Sequence, residues 1–436
     1  MEIDETYDSF TLDNDFKLHY KNRDSAFIEG VLRVRHGSIV EEEGEEGLYH
    51  FLEHLLMTGE NERYNVSSVK RRRADILVSN AETNYKSMNF PFQMFGEVKE
   101  LDEYLSLLSS AIFEPKFDSE SIERERVAIK HEVENRHNQL FYEENKKLID
   151  VLRGQDAQSN YDVGGKIESI DSFKKEDFRR IHDRVIFPDN MELILVGKIP
   201  ENIEEMVERY FSKYEKGNVN EIELTKYDLI DGQHIQLRPD LRKNNSLNPE
   251  KNSSPFELIF NGVDITNADK SACSVVGSLL EERVYDTIRE ELGLAYDIRA
   301  DFDCNRYGGF FTVKGEVRYI DVSQALDSIL DIFEELRTEL IDEEKLSTIK
   351  KHFKNRVLSV FESNSNWVSL IGSKEDYNLD VKKVIEDIEK VTPEDIRTVA
   401  QKYLLRNLKD DNFSLVVESV PDLEEESFFK NNYLPS

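Results

Sequence analysis

The 436-residue chain repeats itself, and no other feature restricts its architecture as much. Ile167-Glu168-Ser169-Ile170, then Glu176-Asp177-Phe178-Arg179, recurs as Ile385-Glu386-Asp387-Ile388, then Glu394-Asp395-Ile396-Arg397, offset by 218 residues both times. Asn190–Val196 recurs as Asn412–Glu418, with four residues inserted between. A period of half the chain is too long for a solenoid unit and marks a duplicated domain. Strand-like runs at Phe27–Val34, Phe90–Phe95, Leu193–Val196, Phe256–Phe260 and Gly309–Val313 alternate with helical patterns at Ala325–Arg337 and Glu343–Phe361. The expected class is α+β. The expected division is residues 1–215, a linker over 216–255 whose Asn, Ser and Pro content marks it, and residues 256–436.

His50-Phe51-Leu52-Glu53-His54 carries the chemistry. It sits in a stretch from Gly47 to Met57 without proline or β-branched residues, which predicts a helix. At 3.6 residues per turn His50 and His54 share a face, with Glu53 in the same arc. Phe51, Leu52, Leu55 and Leu56 cover the rest, so the helix is expected to be buried. Two imidazoles and a carboxylate there are costly unless something orders and neutralises them. A Zn²⁺ ion does both, and His-x-x-Glu-His is the inverted zinc-peptidase signature. The alternative at this point is a pair of hydrogen-bonded core histidines.

A second helix follows from Asp118 or Ser119 to Asn135, with Ile122, Val127, Ile129 and Val133 as apolar anchors. Glu125 and Glu132, two turns apart, share a face. Glu120, Glu123 and Glu134 are expected in solvent. His131 points about 100° away from Glu132 and is not expected to be a ligand.

Together these elements resemble the M16 metallopeptidases. The resemblance implies that each repeat is a mostly antiparallel sheet packed with helices. It also implies that Glu132 is the third zinc ligand and that Glu125 supports the site from behind. Asn80-Ala81-Glu82-Thr83 resembles the family's substrate-pairing edge strand, making Ser79, Asn80 and Ala81 the expected peptide-binding residues. The glycine pair usual before it is replaced by Val78-Ser79. In the second repeat Arg289 and Tyr296 resemble the family's Arg/Tyr pair, which implies a role in holding the scissile carbonyl. Only the first repeat has the zinc motif, so it is the catalytic half.

Other classes are excluded. A formal net charge of −32 argues against general nucleic-acid binding, and neither a Walker loop nor Gly-x-Gly-x-x-Gly is present. The Lys70-Arg71-Arg72-Arg73 run reads as the solvated face of a helix. No apolar run reaches eighteen residues, so no membrane association is expected. The acidic N-terminus lacks a leader pattern, and two cysteines, Cys273 and Cys304, make no disulfide framework. The expected location is the cytoplasm.

The resulting expectation is zinc-dependent hydrolysis of unfolded peptides or leader peptides, with one zinc per chain and Glu53 as general base. Two domains carrying both the zinc motif and the Arg/Tyr pair imply a clam-shell homodimer, with a heterodimer of related subunits as the other arrangement. The alternative function is a non-catalytic assembly subunit.

Overall fold

In the computed structural model the described residues are 4–74, 76–137, 162–217, 229–239 and 253–420. They form two compact units. The first holds the described residues before 224 together with Ser359–Leu379, and the second holds the other described residues.

The first unit is built on β1 (Asp8–Thr11), β2 (Lys17–Asn22), β3 (Phe27–Val34), β4 (Val78–Ser79), β5 (Glu82–Thr83), β6 (Met88–Phe95) and β7 (Met191–Gly197). Its order is β1-β2-β7-β3-β6-β4, with β5 also pairing β6. Only β2 and β7 run parallel. Alternation in β3 sends Ile28, Leu32 and Val34 into the core and Glu29 and Arg33 to the other face. Against the core face pack α1 (Leu48–Thr58), α2 (Val66–Ala74), α3 (Val98–Phe113), α4 (Ser119–His137), α5 (Ile167–Ser172), α6 (Lys175–Val185) and α7 (Ile203–Phe211). Strand β7 is buried at every position, which accounts for its apolar run Leu193–Val196.

The second unit carries β8 (Gln233–Pro239), β9 (Ser253–Asn261), α8 (Lys270–Val284), a π-helical turn (Tyr285–Glu291), β10 (Ala295–Cys304), β11 (Gly309–Arg318), α9 (Val322–Thr338) and α10 (Glu343–Ser359). After α11 (Asn364–Tyr377) come α12 (Val381–Lys390), α13 (Pro393–Tyr403) and β12 (Phe413–Val420). The sheet order is β10-β11-β9-β12-β8, with β8 and β12 parallel. The two sheets share one plan. Strands β2, β7, β3 and β6 correspond to β8, β12, β9 and β11, and the repeated sequences lie on α5–α6–β7 and α12–α13–β12. At the edge the copies differ. The ten-residue β10 pairs with β11 from end to end, with a register shift between Ala295 and Ile298, whereas the first unit has the two-residue pieces β4 and β5 there.

Two boundaries depart from expectation. Helix α11 belongs to the first unit, where it packs on β7 and β3 across the sheet from α1. Its chain position after α10 gives no hint of this, because the docking is tertiary. Within the expected linker, β8 is an ordinary strand of the second sheet; the flanking Asn/Ser/Pro-rich segments mask its short alternating pattern. Residues 218–228 and 240–252 of that linker lie outside the described residues. Val127, expected as an anchor of α4, is exposed, while Ile122, Ile129 and Val133 are buried. No helix among the described residues is long and apolar enough to cross a membrane.

Candidate metal centre

Helix α1 begins where glycine is required. Gly47 has φ +87°, and a Cβ there would lie 2.6 Å from Gly165 Cα. The buried Glu41 carboxylate accepts the N–H groups of Gly47 (3.1 Å) and Tyr49 (3.0 Å), capping the helix from outside it. At the other end the N–H of Gly59 bonds Leu55 O at 2.9 Å. The helix is thus held at both ends. Helix α4 starts on Asp118, whose Oδ1 accepts Ser121 N–H at 2.8 Å, and Ile122, Ile129 and Val133 seat it in the core beside α1.

The antiparallel approach of α1 and α4 brings three side chains to one point. His50 Nε2 and His54 Nε2 are 3.2 Å apart, and the two Glu132 oxygens lie 3.6 Å from His50 Nε2 and from His54 Nε2. Zinc bonds of about 2.0–2.1 Å in a tetrahedron give ligand–ligand edges of about 3.3–3.4 Å. The observed triangle has that size, and two imidazole nitrogens pointing at each other suit a shared cation better than any hydrogen bond between them. The donor set of two nitrogens and one carboxylate fits Zn²⁺ with a position left open.

Supporting contacts surround this triangle. Glu125 Oε2 lies 3.3 Å from His54 Nδ1, and its Oε1 accepts the Thr58 hydroxyl at 2.8 Å and Arg124 Nε at 3.0 Å. Arg136 Nη2 donates to Glu132 Oε1 at 2.7 Å while its Nη1 reaches Asp162 Oδ1 at 3.2 Å. No sequence motif marks Thr58 or Arg136, although Arg136 stands one turn after Glu132. His50 Nδ1 is buried without a hydrogen-bond partner among the described residues. His131 is exposed beside Glu134, as its helical phase predicts.

Protonation follows from the surroundings. Burial pulls His50 down to about 4, leaving the imidazole neutral as a ligand must be. Burial also opposes charge on His54, but its bonds to Glu125 and Glu132 lift it to about 9, so a metal taken up there would displace the Nε2 proton. Contact with His54 brings Glu132 down to about 2. Glu53 is nearly fully buried, and burial raises it to about 7. Its Oε2 accepts the Thr83 hydroxyl at 3.1 Å. An acid poised near neutrality, one residue from a metal ligand, suits a general base.

The cavity over these groups measures about 590 Å³ and is also lined by Arg73, Asn80, Ala81 and Glu82. The expected strand over Asn80–Thr83 is broken. Backbone pairing with β6 exists at Val78–Ser79 and again at Glu82–Thr83, while Asn80 and Ala81 sit in the gap. A β-ladder needs regular pleating that Asn80-Ala81 interrupts, so Asn80 and Ala81 line the cavity from a bend, and only Ser79 lies on a strand.

In the second unit Arg289 lies in the π-helical turn, two residues before its end, and Tyr296 is the second residue of β10. The guanidinium lies over the ring of Tyr296 at 5.2 Å and over that of Tyr285 at 5.0 Å. Tyr285, four residues before Arg289, carries no motif signal in the sequence. Tyr296 is 85 % exposed.

Another group of possible ligands, His19, Glu192 and Glu375, occurs on the far face of the first sheet. Glu192 there is met by Arg33 and Arg35, each at 2.7 Å, and Arg33 also pairs with Asp376 at 2.5 Å. Two guanidinium charges leave no favourable place for a cation, so this cluster fastens α11 to the sheet.

Residues 20–159 match the family profile described as insulinase (peptidase family M16), and residues 172–353 match that of the peptidase M16 inactive domain. The chain is 32 % identical over 177 residues to a chloroplastic stromal processing peptidase of Oryza sativa subsp. indica, covering 39 % of this chain and 14 % of that protein's length. It is 25 % identical over 351 residues to an uncharacterized zinc protease of Rickettsia felis, covering 77 % and 78 % of the two chains. The fold is similar to that of a protease from Helicobacter pylori, with TM-score 0.80, 18 % identity, and 95 % and 99 % of the two chains covered.

Proposed function

This chain belongs to the M16 peptidase family, and from that premise we propose that it is a zinc-dependent endopeptidase acting on unfolded peptides. The observation that carries the reading is the convergence of His50, His54 and Glu132 at tetrahedral spacing, with the buried Glu53 beside them. The profile for the inactive domain matches mainly the half that lacks the motif. That distribution favours catalysis over a purely structural subunit, whose relatives would be expected to lose ligands from the first half.

Zinc held by His50, His54 and Glu132 would supply a Lewis acid that makes water reactive near neutral pH. Glu53 takes the proton of the attacking water on a carboxylate oxygen and returns it to the leaving amine. Thr83 holds the other aspect of that carboxylate, and Glu125 keeps the His54 ring oriented through Nδ1. The open edge at Ser79 and Glu82–Thr83 aligns the peptide main chain, with Asn80 and Ala81 facing it from the bend. Arg289 and Tyr296, contributed by the partner copy of a homodimer, hold the carbonyl on which negative charge develops. The location in this reading is the cytoplasm, in keeping with the unpaired Cys273 and Cys304.

The test is digestion of a mixed peptide library by the purified chain, with cleavage sites read by mass spectrometry. Cleavage abolished by a chelator, restored by zinc and absent from Glu53→Gln supports the reading. Cleavage indifferent to chelation contradicts it. Sites confined to one leader-like sequence instead of many would mark a dedicated processing enzyme.

A further inference from the structure

Resting on that peptidase reading, we propose that Arg136 is a positioning residue for Glu132. Clamped by Asp162, it takes up one oxygen of the ligand carboxylate, so that Glu132 meets the metal through the other oxygen alone and a coordination place stays free. Of the three ligands, Glu132 is the one that packing holds least: its side chain is 42 % exposed, against 8 % for His50 and 22 % for His54. His54 is also backed by Glu125 through Nδ1. Both Glu132 oxygens lie on the metal side, Oε1 at 3.6 Å from His50 Nε2 and Oε2 at 3.6 Å from His54 Nε2. A flexible carboxylate so placed can grip a cation with both oxygens and fill the position that a catalytic zinc leaves open.

Arg136 distinguishes the two oxygens. Its Nη2 donates a charge-assisted bond to Oε1 at 2.7 Å, while Oε2 stays turned to His54. An ion pair at this helical spacing is weak by itself. Here, however, the guanidinium is held from a second side. Its Nη1 donates to Asp162 Oδ1 at 3.2 Å, and the same oxygen accepts the Gly164 N–H at 2.9 Å. The turn over residues 162–165 closes with the Gly165 N–H on Asp162 O at 2.8 Å and with Gly165 at φ +79°. It rests on Gly47, at the start of α1. A Cβ at Gly164 would collide with Arg136 Nη1, so glycine there lets the turn close on the guanidinium. The clamp on the third ligand is thereby set against the helix that carries the other two.

Charge suits the same role. A lone guanidinium beside a cation site would repel the metal, and the Asp162 carboxylate offsets it. A planar fork of donors meets two carboxylates at once in fixed directions, which the point charge of a lysine cannot do.

The test reads coordination itself, by loading the full chain with Co²⁺ in place of zinc and recording its visible absorption. Four-coordinate Co²⁺ absorbs strongly there and five-coordinate Co²⁺ weakly, so the band reports whether Glu132 binds through one oxygen or two. Wild type should show the intense band. Arg136→Met keeps an apolar stem without the fork and should lose most of that intensity, and Arg136→Lys should recover part of it. Asp162→Asn, which leaves Arg136 in place but loosens it, should fall between wild type and Arg136→Met; where Arg136→Met does not fold, this variant decides. With zinc, the same changes should lower kcat about 10–100-fold while KM stays nearly constant. Folded, cobalt-loaded Arg136→Met and Asp162→Asn with wild-type spectra overturn the inference, even where activity falls. A wild-type chain that takes up neither cobalt nor zinc overturns the peptidase reading, and the inference with it.

Discussion

The Thr83 hydroxyl donates to Glu53 Oε2 across 3.1 Å, so a single hydrogen bond joins the sheet edge to the helix that carries the buried acid. The bond favours the ionised carboxylate, whereas burial raises Glu53 to about 7. Thr83→Val keeps the shape and removes the donor. The carboxyl then titrates higher still, and because the base must be ionised, the acid limb of the pH–activity profile should move to higher pH. The expected loss in kcat near neutrality is about tenfold. A limb that stays in place contradicts the assignment of Glu53 as base.

Glu125 touches His54 but not the convergence point of the ligands. Glu125→Gln should weaken zinc binding by about 10–100-fold, as loss of a partner behind a ligand commonly does, with the unfolding midpoint little changed. Titration against a competing chelator measures it, and unaltered affinity rules out the supporting role.

Glu192 is fully buried beneath α11. Burial works against its charge, yet His19 and the Arg33 and Arg35 guanidinium groups hold it at about 2, below the ordinary 4.5. A carboxyl depressed by folding stabilises the fold above its unfolded value, and that contribution is lost as pH falls from about 4.5 towards 2. Its size is on the order of a few kcal/mol. Denaturant melts across this range should show steep loss of stability in the wild type. Glu192→Gln should be less stable at neutral pH and flatter in acid. Parallel pH dependences for the two proteins would show that the cluster does not hold the charge.

A homodimer that shares its sites predicts complementation. Arg289→Ala and Glu53→Gln should each be inactive alone, and their mixed dimer should regain about a quarter to a half of wild-type activity, because one of its two sites is whole. Mixed dimers demonstrated by differential tags yet inactive would argue against sites built from two chains.

Much of this arrangement is written in local sequence. His50, Glu53 and His54 meet because helical period puts them on one face, and the repeat is visible because the same capping and apolar positions recur on α5–α6 and α12–α13. Thr392 and Asp395 form a reciprocal cap on α13, and Asp177 bonds Lys174 N–H at the matching place on α6. What escaped depends on pieces distant in the chain. Thr83 meets Glu53 only after β5 pairs β6, and Arg73 enters the cavity only because α2 packs where it does. The docking of α11 on the first sheet rests on Arg33–Asp376 and Glu192, contacts that no local pattern announces. Val127 shows the converse: an apolar residue in an apolar rhythm that the packing leaves in solvent.

The most direct test is zinc stoichiometry of the purified chain after exhaustive dialysis, by inductively coupled plasma mass spectrometry. The account predicts about one zinc per chain in the wild type, and close to none in folded His54→Ala and Glu132→Gln. Metal-free wild-type protein that cannot be loaded with zinc, or zinc retained at full stoichiometry by both variants, would contradict it.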